Sequence, residues 1–438
     1  MLRILTLTTI FPHANHATSG SFVERQVLTL AERPGVEVRV IAPIRVSAAP
    51  FHKLPRHRPM RDLPRQEQWK GLTVYRPRFR VLPKIGGPWA GDSLVRALRP
   101  LLKNLRAEFP FDVIDAQFFW PDGVAAARLG RELGVPVSVK ARGSDIDYFA
   151  HGRLIGPQLV KASREADALL SVSEALRKRM IAVGMPGEKI AVHYTGIDNK
   201  LFRPADRATA KAALGLSGPV LATVGRLLPF KGQRVALAAL RQLPHATLLI
   251  VGTGPDLRPL ERLAARAGLR DRVRFMGEQP RDALPTILAA ADVMVLPSQR
   301  EGLANVWLEA LACGTPIVVA ETEAAYEVIG RRECGRIVPR QPDAIAQAVS
   351  DMLSFPPDAE TVRASTTGFS WERNSEELFE HLCKLGRLER HDRPASLRSG
   401  AAALLCTFEF PVMRVGIPCS ANLIPCYGEK QESGFRHS

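Results

Sequence analysis

Short runs of apolar, β-branched residues alternate along this chain with longer stretches whose apolar positions recur at helical spacing. That alternation is the pattern of a parallel sheet covered by helices on both faces. It occurs twice. The first set of predicted strands covers residues 2–10, 36–43, 72–77, 111–117, 136–143, 168–174 and 190–196. The second covers 219–227, 246–254, 273–278, 292–298, 316–322 and 335–339. Between them, residues 197–216 are polar and end in turn residues, as a linker would. The expected fold class is α/β, with two Rossmann-like domains, 1–196 and 197–369, facing a central cleft. Ligands of open α/β sheets bind beyond the carboxyl ends of the strands, which places the chemistry in that cleft. Residues 370–389, "SWERNSEELFEHLCKLGRLE", start with an N-cap serine and keep helical spacing, so they read as a closing helix. Residues 390–438 continue neither pattern and receive no structure or function.

Composition narrows the class. A chain of 438 residues with 46% hydrophobic content has room for two or three buried cores. No run reaches the eighteen or so uncharged apolar residues that cross a bilayer. The N-terminal "MLRILTLTTI" lacks a small-residue cleavage site and reads as a strand, so a cytoplasmic protein is expected. Six cysteines (313, 334, 383, 406, 419 and 426) stand apart with no C-x-x-C pair, which argues for free thiols rather than zinc or a disulfide framework. The formal charge of +16 is unevenly spread: residues 1–200 hold 31 basic and 18 acidic side chains, and residues 51–100 alone hold 12 and 3. Such a surface suits phosphates, anionic lipid headgroups or an acidic acceptor, although a solvated basic face has the same composition.

Two segments carry candidate chemistry. In "SQREGLANVWLEALACGTPIVV" (298–319), Glu301 and Glu309 flank an expected helix entrance. A helix beginning just after Glu301 would set the two carboxylates roughly 12 Å apart along the axis and only about 80° apart around it. The N–H groups of Gly302, Leu303 and Ala304 would then lie unpaired in the first turn, as a site for phosphate. One carboxylate could hold sugar hydroxyls and the other ribose hydroxyls of a nucleotide diphosphate sugar. Two acids on a helix also describe an ordinary solvated face. In "TVGRLLPFKGQ" (223–233), a strand ends, the chain turns at Gly225, and Arg226 and Lys231 fall in the following loop. Arg226 can grip phosphate oxygens bidentately and Lys231 can act as a mobile charge, together neutralising a departing diphosphate.

Taken together, these segments resemble the retaining glycosyltransferases of the GT-B fold, family 4, over roughly residues 1–388. The resemblance is specific in its order: a G-R-L-x-x-x-K-G-like loop at Gly225 to Gly232, then E-G-L-x-x-x-x-L-E-A-x-A-C-G-x-P at Glu301 to Pro316. It implies that Arg226 and Lys231 bind the donor diphosphate, that Glu301 sits at the donor sugar and that Glu309 sits at the ribose. The loop "TTIFPHANHATSGSFVERQ" is similar to the family's first strand-to-helix loop, which makes Gly20 the candidate for close approach to the donor phosphates. "VHYTGIDNKLFRP" (192–204) resembles the segment leading into the linker, with Thr195 in place of the usual Asn. At "KARGSDIDYF" (140–149) many members have His-Gly-Ser-Asp, whereas Arg142 precedes Gly143, Ser144 and Asp145 here. Arg142 and Asp145 are accordingly placed on the acceptor or sugar side. The implied activity is transfer of a hexosyl group from a nucleotide diphosphate sugar to a glycan or lipid-linked acceptor, with retention, no protein nucleophile, no metal and no other cofactor. The basic first domain would add peripheral contact with the anionic inner face of the cell membrane.

Other patterns are set aside. Asp145 and Asp147 have D-x-D spacing, but metal-dependent transferases with that motif have one sheet domain and this chain has two. His13 and His16 lack a third ligand partner in their loop. "GTGPDL" (252–257) misses the third glycine of a dinucleotide fingerprint, and Lys231 is not in a Walker motif. Two rivals stay open at the level of sequence. One is another enzyme of the same shape, such as a nucleotide-sugar epimerase or a phosphorylase. The other is a basic nucleic-acid binder, which would have to explain why the acids and cations occur in family order; no nucleic-acid partner is expected.

Overall fold

A computed structural model of the protein describes residues 1–16, 19–48, 60, 62–83 and 85–386. Part of the basic run, residues 49–59, and the tail 390–438 lie outside the described residues.

The first sheet contains eight strands. β1 (Leu2–Leu7), β2 (Val36–Ile41), β5 (Leu72–Tyr75), β7 (Val113–Ala116), β8 (Val137–Ala141), β9 (Ala168–Ser171) and β10 (Ile190–Val192) are parallel, and β4 (Gln66–Trp69) runs antiparallel to β5 at one edge. The spatial order is β10-β9-β8-β7-β1-β2-β5-β4. β7 and β8 are buried at every position, "VIDA" and "VSVKA", because helices cover both faces. β3 (Ile44–Ser47) and β6 (Arg78–Val81) form a separate two-stranded parallel ribbon.

The second sheet is wholly parallel, ordered β13-β12-β11-β14-β15-β16. Its strands are β11 (Val220–Val224), β12 (Thr247–Val251), β13 (Val273–Gly277), β14 (Val293–Leu296), β15 (Ile317–Ala320) and β16 (Gly335–Val338). All thirteen predicted strands have a counterpart in one of the two sheets. The expected linker is partly helical: Arg207–Ala213 is started by Asp206, whose carboxylate accepts from Thr209 N at 2.7 Å.

The segment after the second sheet forms the helix Trp371–Leu385, with Ser370 Oγ accepting from Arg373 N at 3.1 Å. It returns to the first sheet, where Leu378, Phe379 and Leu382 join a core with Leu2, Ile4, Val27 and Leu30. A larger apolar cluster is continuous from Val139 and Ala141 on one side to Leu303 and Trp307 on the other. Cys313 and Cys334 are buried free thiols, and Cys383 is buried as well. Among the described residues, no helix is long and apolar enough to cross a membrane.

Candidate active site

On the second domain the loops after β11 and β14 are stitched together. Gln299 N donates to Phe230 O at 2.7 Å, Ser298 Oγ donates to Lys231 O at 3.2 Å, and Lys231 Nζ pairs with Glu301 Oε1 at 2.6 Å. Arg226 is exposed, and its guanidinium makes no ion pair among the described residues. The expected helix starts later than the sequence reading placed it: it spans Asn305–Ala312, with Ala304 as N-cap. The carbonyls of Glu301 and Gly302 accept from the first domain, Arg179 Nη2 donating to Glu301 O at 2.8 Å and Ser173 Oγ to Gly302 O at 2.6 Å. Glu301 therefore lies in a loop ahead of the helix, and the two glutamates are not displayed along one helical face. The N–H groups of Gly302, Leu303 and Ala304 stand before the first turn rather than within it, yet they still find no acceptor among the described residues.

Glu309 is buried on that helix, and Arg281 Nη1 lies 3.1 Å from its Oε1. Burial pushes its carboxyl up, with the Arg281 charge opposing. The Arg281 guanidinium also stacks 5.0 Å from the Phe202 ring. The sequence reading did not single out Arg281. Its one cue was position, in the loop beyond the carboxyl end of β13.

On the first domain, Arg142 follows β8 and turns inward. Its Nη2 donates to Gln26 Oε1 at 3.2 Å and also to Gln117 Oε1, and its guanidinium stacks 5.1 Å from the Phe22 ring. Nη1 is buried and has no partner. Burial lowers the Arg142 group to about 10. Lys140 lies beneath, fully buried, with Nζ 2.8 Å from His193 Nδ1, and burial drives it well below the ordinary ammonium range.

Asp145 is not a substrate-facing group. Its carboxylate accepts from the backbone N–H of Phe119 (3.0 Å), Arg142 (3.0 Å), Gly143 (2.9 Å) and Ile146 (3.2 Å), and it is fully buried. Asp147 turns the other way, to Arg179 Nε at 3.3 Å. Gly20 starts the helix Ser21–Ala31 at φ 69°, and a Cβ there would come within 2.1 Å of Ile10 O, so only glycine fits. Phe22 and Gln26 on that helix link its opening turns to Arg142.

The two domains meet at these loops. A Cβ on Gly143 would lie 3.0 Å from Gly302 Cα, and one on Gly302 would lie 2.8 Å from Arg142 O. The Tyr148 ring packs edge-on to Phe230 at 5.7 Å, with the Arg300 guanidinium 5.7 Å from the same ring. Burial raises the Tyr148 hydroxyl, with the charge of Arg300 opposing. Lys231, Glu301, the three unpaired amides and the Arg142–Gly143 backbone thus converge. Arg226 is exposed in the loop after β11, and Glu309 lies about a turn into the helix. Tyr148, at the end of the quoted segment 140–149, completes the arrangement with Arg179 and Ser173, which sit in sequence contexts with no motif to mark them.

Residues 206–368 match the family described as glycosyl transferases group 1, and residues 18–196 match the glycosyl transferase 4-like domain. The chain is 32% identical over 320 residues to the GDP-mannose-dependent alpha-(1-6)-phosphatidylinositol monomannoside mannosyltransferase of Mycolicibacterium smegmatis, covering 65% of this chain and 81% of that protein. It is 28% identical over 361 residues to Bacillus subtilis TuaC, named for teichuronic acid biosynthesis, covering 80% of this chain and 88% of that one. Against the D-inositol 3-phosphate glycosyltransferase of Mycobacterium leprae it is 35% identical over 243 residues, 52% of this chain, and spans only 56% of that relative. Among solved structures, sucrose-phosphate synthase of Thermosynechococcus elongatus superposes with TM-score 0.73 at 21% identity, covering 89% of this chain and all of that one. Anabaena HepE holding UDP and glucose superposes with TM-score 0.67 at 22% identity, covering 88% and all of the respective chains.

Proposed function

This chain belongs to the group 1 glycosyltransferases of the GT-B fold, family 4, and from that premise we propose that it moves a hexosyl group from a nucleotide diphosphate sugar to a hydroxyl of a glycan or lipid-linked acceptor, with retention at the anomeric carbon. The observation that carries the reading is the Lys231–Glu301 pair beside the unpaired amides of Gly302, Leu303 and Ala304. An ammonium and three free N–H donors suit the diphosphate, while the adjacent carboxylate suits sugar hydroxyls. Arg226 adds a second cation from the loop after β11. Glu309 accepts ribose hydroxyls, with the Arg281 charge opposing the upward push of burial on its carboxyl. The nucleotide-sugar donor is supported by the UDP and glucose held by Anabaena HepE and by the GDP-mannose dependence in the name of the mycobacterial relative.

In the reaction, the bond from the anomeric carbon to the diphosphate oxygen breaks and the bond to the acceptor oxygen forms on the same face. The acceptor's proton passes to the departing phosphate oxygen. Lys231, Arg226 and the amides stabilise the charge developing on that group. Closure of the cleft, through contacts such as Tyr148 on Phe230, keeps water from the reacting carbon. No metal takes part, and full transfer is expected in the presence of EDTA. The product belongs to cell-surface polysaccharide or glycolipid synthesis, made at the inner face of the membrane.

Purified protein incubated with radiolabelled UDP- and GDP-sugars and a membrane extract should label a lipid or glycan. Lys231→Ala should lower transfer by at least about a hundredfold, as loss of a charged group at a developing charge does, and Glu309→Ala should raise the donor KM by roughly tenfold, as loss of a charged hydrogen bond to the ribose does. Transfer that survives unchanged in both variants removes this site assignment. A panel of nucleoside diphosphates in a thermal-shift assay identifies the base: at a hundred times Kd the matching one should add about 2.7 kcal/mol of stability.

A further inference from the structure

Among the described residues ten large hydrophobic side chains are exposed, and most stand singly on separate elements. Four do not. Leu82 (43% exposed), Ile85 (66%) and Trp89 (54%) occupy the turn between β6 and the helix Ala90–Glu108, and Leu154 (61%) lies just before the helix Gly156–Glu165. The turn is tight: Gly86 N donates to Leu82 O at 2.9 Å, and a Cβ on Gly86 would meet Leu82 N at 2.4 Å. One side-chain amide joins the two segments, Gln158 Nε2 donating to Pro88 O at 3.0 Å and to Leu154 O at 2.7 Å. These hydrogen bonds set Leu154 beside Pro88 and Trp89.

The rim around these four side chains is basic. Arg80 shares the outward face of β6 with Leu82, two residues on, and Arg96 lies about two helical turns after Trp89. Arg153 adjoins Leu154. None of these three makes an ion pair among the described residues. Beyond Arg96, a groove of about 720 Å³ between neighbouring helices is lined by five basic and three acidic side chains. An indole and aliphatic groups ringed by unpaired guanidiniums match the chemistry of a bilayer surface, where tryptophan sits at headgroup depth and arginine meets anionic headgroups. Residues 150–155 continue directly from the helix Ser144–Phe149, whose Tyr148 reaches into the cleft, so the patch adjoins the acceptor side.

We propose that Leu82, Ile85, Trp89 and Leu154 insert into an anionic bilayer, with Arg80, Arg96 and Arg153 on its headgroups, so that the cleft opens toward a lipid-borne acceptor. The proposal rests on the lipid-linked acceptor reading above and gives it a specific docking face. Insertion of this kind is reversible and weakens as salt screens the arginines.

The test uses the full chain and vesicles of equal parts phosphatidylglycerol and phosphatidylcholine. The protein should float with these vesicles and not with phosphatidylcholine alone. Lipids brominated on their acyl chains should quench part of its tryptophan fluorescence, and Trp89→Phe should abolish that quenching. Ile85→Glu/Trp89→Glu should weaken flotation at least about tenfold, and Arg80→Glu/Arg153→Glu at least about fivefold per residue. All these side chains are exposed, so the nucleoside diphosphate thermal shift should persist in every variant. If flotation behaves as stated but no nucleotide shifts the protein, the docking face stands and the donor reading fails. The proposal is overturned if the parent does not float, if the variants float as it does, or if sedimentation shows the glutamate variants splitting a dimer, since the patch would then bind a second copy.

Discussion

Asp145 has its oxygens committed to four backbone donors, so it holds the loop rather than meeting substrate. Asp145→Ala would strand those N–H groups in the interior and should cost at least about 2 kcal/mol in urea unfolding. Asp145→Asn keeps an acceptor and should cost less. The residue was legible as part of a strand-end motif, but its orientation was not, because spacing gives position along the chain and not which way a side chain turns. Arg142 shows the opposite case. Its departure from histidine was visible, and the fold reveals that Gln26 and Gln117 fix its fork while one nitrogen stays unpartnered. Lys cannot reproduce that fork. Arg142→Lys should therefore lower acceptor kcat/KM by roughly tenfold, as loss of one charged hydrogen bond does, with the nucleotide thermal shift unchanged. A weaker nucleotide shift would move Arg142 to the donor side.

Elements were easiest to read where both faces are buried, since continuous apolar runs such as "VSVKA" leave little else to predict. β3 and β6 went unread because arginine holds alternate positions in "IRVS" and "RFRV", and a ribbon with one wet face gives a weak signal. The helix Asn305–Ala312 begins later than its sequence suggests, and Arg179 and Ser173 of the first domain hold two carbonyls of the loop ahead of it. The helix Trp371–Leu385 is held to the first sheet partly through His381 Nε2, 2.9 Å from Ser138 Oγ. Burial, then the charges of Lys140 and Lys384, push His381 down to about 4. The unfolded chain takes up that proton near pH 6.5, the folded chain only near 4, so stability should decline as pH falls between those values, by at most about 3 kcal/mol. His381→Gln keeps a partner for Ser138 and should flatten that part of the curve. The measurement is the difference between the two proteins, because burial raises Asp115 to about 6 and Asp122 to about 7, which lowers stability as pH rises.

At the scale of the molecule, the two-sheet plan could be read because the alternation repeats, but the docking of one domain on the other could not. It depends on pairs far apart in sequence, some of which lie outside every motif. Glu327 is the clearest: its carboxylate accepts from Glu174 N at 2.8 Å and Ala175 N at 2.7 Å, capping a first-domain helix from the second domain, and takes the Tyr194 hydroxyl at 2.8 Å. Glu327→Ala should loosen the closed form, raising the radius of gyration in small-angle scattering and the donor KM by roughly tenfold. Unchanged scattering and KM would show that closure does not depend on this cap.

Where Gly143 meets Gly302, the halves of the enzyme touch through bare backbone, with no side chain to compress or swing aside. A contact of that kind works as a mechanical end-stop: it fixes how far the jaws can shut. A methyl added at Gly302 would act as a shim, widening every other gap across the mouth by the same small step, and would make the rate of chemistry a gauge of that clearance.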